Sequence, residues 1–220
     1  MARLKEYNGH YCESEYEYAF IGFLEAEGWK YSSGNNISRV TKRDVLIADD
    51  FKKFIADTNP DLTEDEVIQI YDNVRLVGAE SDFATLHKVY GWMVNGVQFT
   101  PQDGLPRMIP LIDFDNWDKN IFRVVNQFTV EYTNNGQKEN RRPDVLLFVN
   151  GMPLCVIELK NPADANATIY DAWEQINIRY WRDIPHLLHY CPLACISDGV
   201  KTRLGTVRTP YEHFYAWRRV

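Results

Sequence analysis

The stretch RPDVLLFVNGMPLCVIELK, residues 142–160, consists of two apolar runs that flank an Asn-Gly pair. Apolar residues on both sides of Asn-Gly are a strong short-range signal for a β-hairpin. Charged residues stand at its outer ends, with Asp144 at one end and Glu158 and Lys160 at the other. An apolar hairpin needs no charges there. The three side chains are therefore either a solvated rim or a metal-binding active site.

The register of this hairpin decides whether the three charges meet. Residues i and i+2 of a strand share a face, so Glu158 and Lys160 point the same way. A two-residue loop between regular strands would place Asp144 on the other face. A three-residue loop or a β-bulge would place it on the same face. An active site requires the odd loop or the bulge, whereas a solvated rim accepts either register.

The residue types suit one particular chemistry. Two carboxylates on one face repel each other, and a Mg²⁺ ion relieves this by taking an oxygen from Asp144, one from Glu158, the backbone carbonyl of Leu159 and water. Water on such a metal is more acidic, and Lys160 beside it can position it or stabilise the charge of an attacked phosphate. The set predicts metal-assisted hydrolysis of a phosphodiester.

The first hundred residues have a mainly helical pattern. A first core helix is predicted over 14–27, because Ser14 suits its N-cap and Gly28 suits its end. Its apolar face is predicted to comprise Tyr16, Phe20, Phe23 and Leu24, flanked by Glu17. Three further helices are predicted, over 41–60, 63–74 and 82–94. A capping box of Thr63 and Glu66 opens the second of these three.

From about residue 111 the pattern changes to short strands rich in Val, Ile and Phe. Strands are predicted over 122–133, 142–150, 153–160, 193–198 and 202–208, with a helix over 167–181. This order predicts an α/β fold in which a mixed β-sheet, over 111–208, is flanked by helices. A single domain over 1–220 is expected, and the aromatic-rich ending TPYEHFYAWRRV favours a fragment of a longer protein.

Composition excludes several classes of protein. The chain has 220 residues, and its net charge of −7 argues against a nonspecific polyanion binder. Its four cysteines are too few for a disulfide scaffold, and the Cys191-x3-Cys195 pair lacks a second pair of zinc ligands. The sequence contains neither a run of 18 apolar residues nor a signal peptide, so a cytoplasmic location is expected.

Pro143-Asp144, followed on the next strand by Glu158-Leu159-Lys160, resembles the PD-(D/E)xK nuclease fold. The wider text is similar to the N-terminal part of the R (restriction, motor) subunit of type I restriction endonucleases. It comprises DFDNWDKNIFRVVNQFTVE, the opening hairpin, DIPHLLHY and ISDGVKTRLGT. The resemblance extends over most of the chain and is strongest over 111–206. It implies a restriction-endonuclease-like core with a mixed sheet.

The resemblance also implies roles for single residues. Asp144 and Glu158 would bind the metal together with the carbonyl of Leu159, and Lys160 would be the catalytic lysine. Many nucleases of this fold use a glutamate on the first helix as well. Glu17 occupies the matching place, so it is a further catalytic candidate.

The helix after the Glu-x-Lys strand carries a Gln-x3-Tyr motif in this family. Here Gln175 and Tyr180 are separated by four residues, and positions i and i+5 do not share a face of an α-helix. Ile176 stands where the glutamine would be if Tyr180 is matched. Either the helix is irregular or only one of the two residues is equivalent. Gln175, Tyr180 and the basic Arg142 are candidates for DNA contact or for supporting the site.

The function implied is a Mg²⁺-dependent endonuclease that cuts double-stranded DNA in a complex with modification and specificity subunits, in a bacterial or archaeal cytoplasm. The family's R subunit also binds ATP, but these 220 residues contain no Gly-x4-Gly-Lys-Ser/Thr loop, so ATP is expected of the parent subunit only. The alternative is a nuclease-fold module that binds DNA or subunits without cleaving. A stand-alone repair nuclease fits the extent of the resemblance less well.

Overall fold

The computed structural model describes residues 13–78, 81–161 and 168–216. The helices are α1 (Glu13–Ala26), α2 (Ala48–Thr58), α3 (Glu64–Arg75), α4 (Asp82–Asn95), α5 (Ile169–Glu174), a π-helix (Gln175–Tyr180), α6 (Trp181–Asp183) and α7 (Pro185–Leu188). Short 3₁₀ turns are Gly34–Asn36, Trp117–Lys119 and Tyr211–His213. No helix in these parts of the chain is long and apolar enough to cross a membrane.

The strands are β1 (Lys30–Ser33), β2 (Val97–Phe99), β3 (Arg107–Ile109), β4 (Phe122–Asn126), β5 (Val130–Asn134), β6 (Gln137–Arg141), β7 (Val145–Val149), β8 (Met152–Leu159), β9 (Leu193–Ser197), β10 (Thr202–Thr206) and β11 (Tyr215–Ala216). The central sheet has the order β1-β4-β7-β8-β9-β10-β11. Its β1–β4 and β8–β9 pairs are parallel and the others antiparallel. The predicted α/β fold with a mixed sheet is confirmed, and it is compatible with a restriction-endonuclease-like core.

Apolar side chains cover the two faces of the sheet unequally. On one face, helix α1 packs Ile21 against Val124, Val145 and Ile157. The other face belongs to a larger cluster that includes side chains of α2, α3, α4 and the helical segment after β8. Strand residues alternate between the two clusters, as the period of two requires. Both faces of β7 and β8 are therefore covered, which explains why this hairpin is almost continuously apolar.

The first core helix differs from its prediction in two details. Ser14 lies inside α1, because the helix already includes Glu13, so Ser14 is not its N-cap. Phe23 is 73% exposed, whereas Ile21 and Glu17, one turn apart, are buried. The helix therefore rests on the sheet through a stripe centred on Glu17 and Ile21, and the assignment of Phe23 to the buried face was wrong.

The predicted strand over 122–133 is two strands. Gln127 has a φ of +56°, a left-handed conformation that ends β4 and redirects the chain into β5. Strand β5 then pairs with β6, which the sequence pattern did not reveal because QKENR lacks apolar residues. Among the other predictions, the capping box is confirmed: Thr63 Oγ1 accepts from the Glu66 N–H, and Glu66 Oε2 accepts from the Thr63 N–H.

Candidate active site

The hairpin of residues 142–160 combines features of both predicted registers. Val149 pairs with Met152, so the loop has only two residues, Asn150 and Gly151, with φ values of +51° and +76°. The alternative of a three-residue loop is wrong. A β-bulge then shifts the register, because Leu147 pairs with Cys155 while Phe148 pairs with Pro153. The bulge adds one residue, Leu154, to β8. The side chains of β8 beyond it change face, so that Glu158 lies on the face of Asp144, which a two-residue loop alone would not allow.

Beyond the bulge, the register brings the two carboxylates together. Val145 pairs with Ile157, so Asp144 stands next to Glu158 at the open end of the hairpin. The Oδ2 atom of Asp144 accepts a hydrogen bond of 2.8 Å from the backbone N–H of Leu159. Asp144, Glu158 and Lys160 share the face of the sheet that the π-helix covers.

Burial dominates the electrostatics of this pair. Glu158 is 0% exposed, and burial raises the pKa of its carboxyl well above the ordinary value, with the charge of Asp144 adding to the rise. Burial also raises the pKa of Asp144, although the hydrogen bond from the Leu159 N–H favours its charged form. Two carboxyl groups that both resist ionisation need a cation nearby if both are to be charged at neutral pH.

A hydrogen-bonded network joins the Glu-x-Lys strand to the helix above it. Tyr180 donates its hydroxyl to Glu158 Oε1 over 2.6 Å, and the Gln175 amide donates to Glu158 Oε2 over 2.7 Å. The same amide group donates to the Tyr180 hydroxyl oxygen, at 2.9 Å. The Gln175 carbonyl oxygen accepts from Lys160 Nζ at 3.1 Å. Gln175 therefore links the lysine to the buried glutamate.

The π-helix explains how two residues five positions apart reach one carboxylate. A π-helix closes its turn over i to i+5, whereas an α-helix places i and i+4 together. The π segment begins at Gln175 and ends at Tyr180, so both side chains face Glu158. Of the two possibilities left open by the sequence, the locally irregular helix is confirmed. Ile176 is buried in the core and does not replace the glutamine.

Glu17 approaches the same end of the hairpin from α1, on the other face of the sheet. It is 5% exposed, and its Oε1 atom accepts a hydrogen bond of 2.6 Å from the Asn126 amide. Asn126, at the end of β4, also accepts from the Tyr31 hydroxyl at 3.0 Å. Burial raises the pKa of Glu17, the Asn126 hydrogen bond opposes this, and the charge of Asp144 adds to it. The charge of Asp144 therefore affects the pKa of Glu17, although the two carboxylates have different hydrogen-bond partners.

Arg142 is exposed at the mouth of the site. Its positive charge lowers the pKa values of both Asp144 and Glu17 against the larger effect of burial. Tyr180, in contrast, is 1% exposed, so it supports Glu158 from within the core. Gln175 is partly exposed, less than Arg142 and more than Tyr180.

The donor set suits a hard divalent cation, since its oxygens belong to two adjacent carboxylates whose mutual repulsion a cation would relieve. Each carboxylate oxygen of Glu158 receives one hydrogen bond and keeps a second lone pair. Within residues 13–78, 81–161 and 168–216, no three His, Cys, Asp or Glu side chains converge to hold a metal. Glu17 therefore does not join Asp144 and Glu158 as a third ligand in this arrangement.

Sequence reasoning missed two residues that shape the site. Asn126 is 0% exposed and Tyr31 lies on β1, a short polar strand that the pattern did not predict. A possible signal was the position of Asn126 at the end of an apolar strand, where a buried amide requires partners. Cys155, Cys191 and Cys195 are buried thiols outside the hydrogen-bonded network of the site, and Cys12 lies outside the described residues.

The α/β core with its mixed sheet, and the two carboxylates, lysine and glutamine at the open end of one hairpin, are compatible with a restriction-endonuclease-like nuclease fold. Residues 11–213 match the family model of the type I restriction enzyme R protein N terminus. The chain belongs to this family.

Similar curated proteins come from archaea and bacteria. A putative type I restriction enzyme MjaIXP endonuclease subunit of Methanocaldococcus jannaschii is 34% identical, over 93% of this chain and 20% of that protein. The type I restriction enzyme HindI endonuclease subunit of Haemophilus influenzae is 30% identical, over 94% of this chain and 20% of that protein. The chain therefore spans about a fifth of the length of these relatives.

Proposed function

We propose that this chain is the nuclease part of a type I restriction R subunit and hydrolyses phosphodiester bonds of double-stranded DNA with Mg²⁺. The observation that carries the proposal is the network in which Gln175 joins Lys160 to the buried Glu158, beside Asp144. A solvated rim would expose these charges to water. Instead the fold buries a carboxylate and surrounds it with donors, which is costly for stability and typical of a functional site.

Asp144, Glu158 and the backbone carbonyl of Leu159 would hold the Mg²⁺ ion. When bound, the ion supplies a Lewis acid that acidifies water and withdraws charge from a phosphate. The hydrogen bonds from Gln175 and Tyr180 favour the charged form of Glu158 and fix the direction of its oxygens. These hydrogen bonds act against the effect of burial, which still raises the pKa of Glu158.

Lys160 acts on the substrate side of the same network. Gln175 holds its ammonium group at 3.1 Å, which leaves two of the three N–H donors of that group available for other partners. The ammonium group can orient an attacking water with one donor and stabilise the developing charge on the phosphate with another. Glu17, which lies on the other face of the sheet from Asp144, would hold or accept a proton.

The relatives are named as endonuclease subunits of type I restriction enzymes, which supports a place in a larger complex. We infer that the chain works with modification and specificity subunits in the cytoplasm of a bacterium or archaeon. ATP-driven DNA translocation would belong to other parts of the R subunit. The alternative of a module that does not cleave rested on the shifted Gln and Tyr. Because Gln175 and Tyr180 both contact Glu158, that argument no longer favours it.

The test is DNA cleavage by the assembled enzyme with Asp144→Ala or Lys160→Ala in this part of the R subunit. Each change is expected to reduce cleavage by about a thousandfold or more while ATP hydrolysis continues. Lys53→Ala is the control, because Lys53 is an exposed lysine on α2 paired only with Asp57 on the surface. Cleavage that survives both site changes would refute the proposal. A structure with Mn²⁺ should show an ion between Asp144 and Glu158.

A further inference from the structure

The ribbon formed by β5 and β6 is separate from the central sheet and directly precedes the proposed active site in the chain. Among the described strands the two pair only with each other. Asn134 pairs with Gln137 across a two-residue turn, in which Asn135 and Gly136 have φ values of +48° and +79°. This turn geometry matches the twist of a hairpin. All residues from 133 to 138 are exposed, so the tip of the ribbon is free of packing by the described residues.

The base of the ribbon is held firmly. Val130 and Tyr132 are buried in the main core. Arg141 donates from Nε to Asp183 Oδ2 over 2.7 Å, and Asp183 is 8% exposed. The guanidinium of Arg141 also lies 5.4 Å from the centre of the Tyr132 ring. Because Asp183 ends the helical segment that carries Gln175, the ribbon is fixed relative to the active-site network.

The outward face of the ribbon is polar, and near the tip it carries a lysine. Thr133 pairs with Lys138, and both side chains are exposed. Asn140 follows Lys138 on the same face and pairs with Glu131, which is half-buried and close to the charge of Arg39. The tip therefore presents an exposed lysine in a chain whose net charge is −7.

The carboxylate that follows Lys138 in the chain is hydrogen-bonded within the ribbon. Glu139 lies on the other face of the ribbon, where its Oε2 accepts from the Tyr132 hydroxyl at 2.6 Å and its Oε1 accepts from the Asn134 amide at 2.8 Å. The exposed side chains that remain on the turn and its flanks are amides, the hydroxyl of Thr133 and the cation of Lys138. These are groups that hydrogen-bond base edges and phosphates.

The ribbon is connected to the active site by a short segment of chain. β6 ends at Arg141, and Arg142 and Pro143 lead directly to Asp144. At about 3.3 Å per residue, the nine residues from Asn135 to Asp144 span at most roughly 30 Å, which corresponds to about nine base pairs of B-DNA at 3.4 Å each. A duplex whose phosphate lies at Asp144 is therefore long enough to pass the tip.

We propose that the tip of this ribbon docks into a groove of double-stranded DNA on one side of the phosphate that is cut. The major groove admits a two-stranded β-ribbon. Lys138 would contact a phosphate, and the amides of Asn135 and Gln137 would contact phosphates or base edges. The proposal rests on the proposed nuclease function and adds to it the element that holds the duplex.

The test is the affinity of this chain for a fluorescent 30-base-pair duplex, measured by anisotropy in EDTA over a series of salt concentrations. Lys138→Glu is expected to weaken binding about tenfold and to reduce the slope of log Kd against log salt by about one. Lys138→Arg keeps the charge and should bind as the original chain does. Lys53→Glu makes the same charge change on α2, which packs at the opposite end of the hairpin, and should have a small effect.

Equal affinities for Lys138→Glu and Lys53→Glu would overturn the ribbon proposal, as would a failure of the unaltered chain to bind the duplex. A loss of assembly with other subunits in Lys138→Glu, with DNA affinity unchanged, would identify the tip as a protein contact and would overturn it too. Cleavage by the assembled enzyme, tested with Asp144→Ala, is a separate measurement. The nuclease function can therefore stand when the ribbon proposal fails.

Discussion

The two ends of the β7–β8 hairpin both bury a polar side chain, but the side chains differ in charge and in how fully their hydrogen bonds are satisfied. At the turn, Asn150 is 0% exposed and neutral, and its amide satisfies three backbone or side-chain partners. Its Oδ1 accepts from the Ile121 N–H at 2.7 Å, and its Nδ2 donates to the Leu111 carbonyl and to Asn120 Oδ1 at 2.9 and 2.8 Å. The turn also supports α2, because the Ile47 N–H donates to the Gly151 carbonyl at 2.8 Å.

At the open end, Glu158 is equally buried but can carry a charge. Its hydrogen bonds from Gln175 and Tyr180 do not offset burial, since its pKa remains raised. A neutral amide with satisfied partners stabilises a fold, whereas a buried carboxylate beside another carboxylate costs stability. The turn end therefore stabilises the fold, whereas the cost of the open end fits the proposal that it binds a cation and substrate.

Among the tests of this difference between the two ends, the largest effect is expected from Gly151→Ala at the turn. A Cβ atom at Gly151 would collide with the Ile47 carbonyl oxygen and come within 2.8 Å of the Phe51 nitrogen, at a φ of +76°. The free energy of unfolding should fall by about 3 kcal/mol, measured by urea denaturation. Gly136→Ala is the control, because Gly136 has a similar φ of +79° and nothing within 4 Å of an added Cβ.

The control should cost only about 1 kcal/mol, the strain of the left-handed conformation alone. If the two variants lost the same stability, the packing of the turn beneath α2 would contribute nothing. The turn end would then be no different from an exposed hairpin turn.

A smaller effect, on activity, is expected from Gln175→Ala at the open end. Without the amide, Lys160 loses its acceptor and Glu158 loses one donor, so kcat for cleavage should fall about 10- to 100-fold. KM should change little, since the main role of Gln175 is to position Lys160 and Glu158. Ile178→Ala is the control, because Ile178 is 48% exposed on the same π-helix. A rise in KM with kcat unchanged would instead make Gln175 a DNA contact.

The smallest effect, on stability, is expected from Glu158→Gln. Since the folded pKa of Glu158 is raised above its ordinary 4.5, its contribution to stability is greatest below that value and is lost as the pH rises through the folded pKa. Removing the charge should therefore increase the free energy of unfolding at neutral pH by about 1 kcal/mol without metal, although cleavage is lost.

The measurement is thermal unfolding of Glu158→Gln and the original chain from pH 4 to 8 in EDTA, with the difference growing as the pH rises. Glu139→Gln should show the opposite trend, because hydrogen bonds from Tyr132 and Asn134 lower the pKa of Glu139. Its stabilising contribution is present above the ordinary pKa and is lost as the pH falls. A destabilised Glu158→Gln at neutral pH would mean that the open end is a structural polar network, like the turn.

Local signals in the sequence predicted several elements well. The capping box of Thr63 and Glu66 and the end of α2 before Pro60 depend on side chains that contact their own backbone, so neighbours along the chain decide them. The strand β1 was missed because KYSS is short and polar and is stabilised only by pairing with β4. The buried face of α1 was misread at Phe23 because a helix with apolar residues on several sides does not indicate which side meets the sheet.

The sequence by itself determined the hairpin, the mixed α/β fold and the resemblance that led to the family. Only the tertiary structure decided which side chains meet. The face on which a side chain lies depends on its position in the repeat of its strand or helix. One added residue moves the following side chains of a strand to the opposite face, and it rotates those of a helix by about 100°. The bulge at Leu154 and the π-helix at Gln175–Tyr180 each absorb such a residue. Packing on both sides of the sheet, remote in sequence, sets where that residue goes, so Asp144, Glu158, Lys160 and Gln175 meet only in the folded chain.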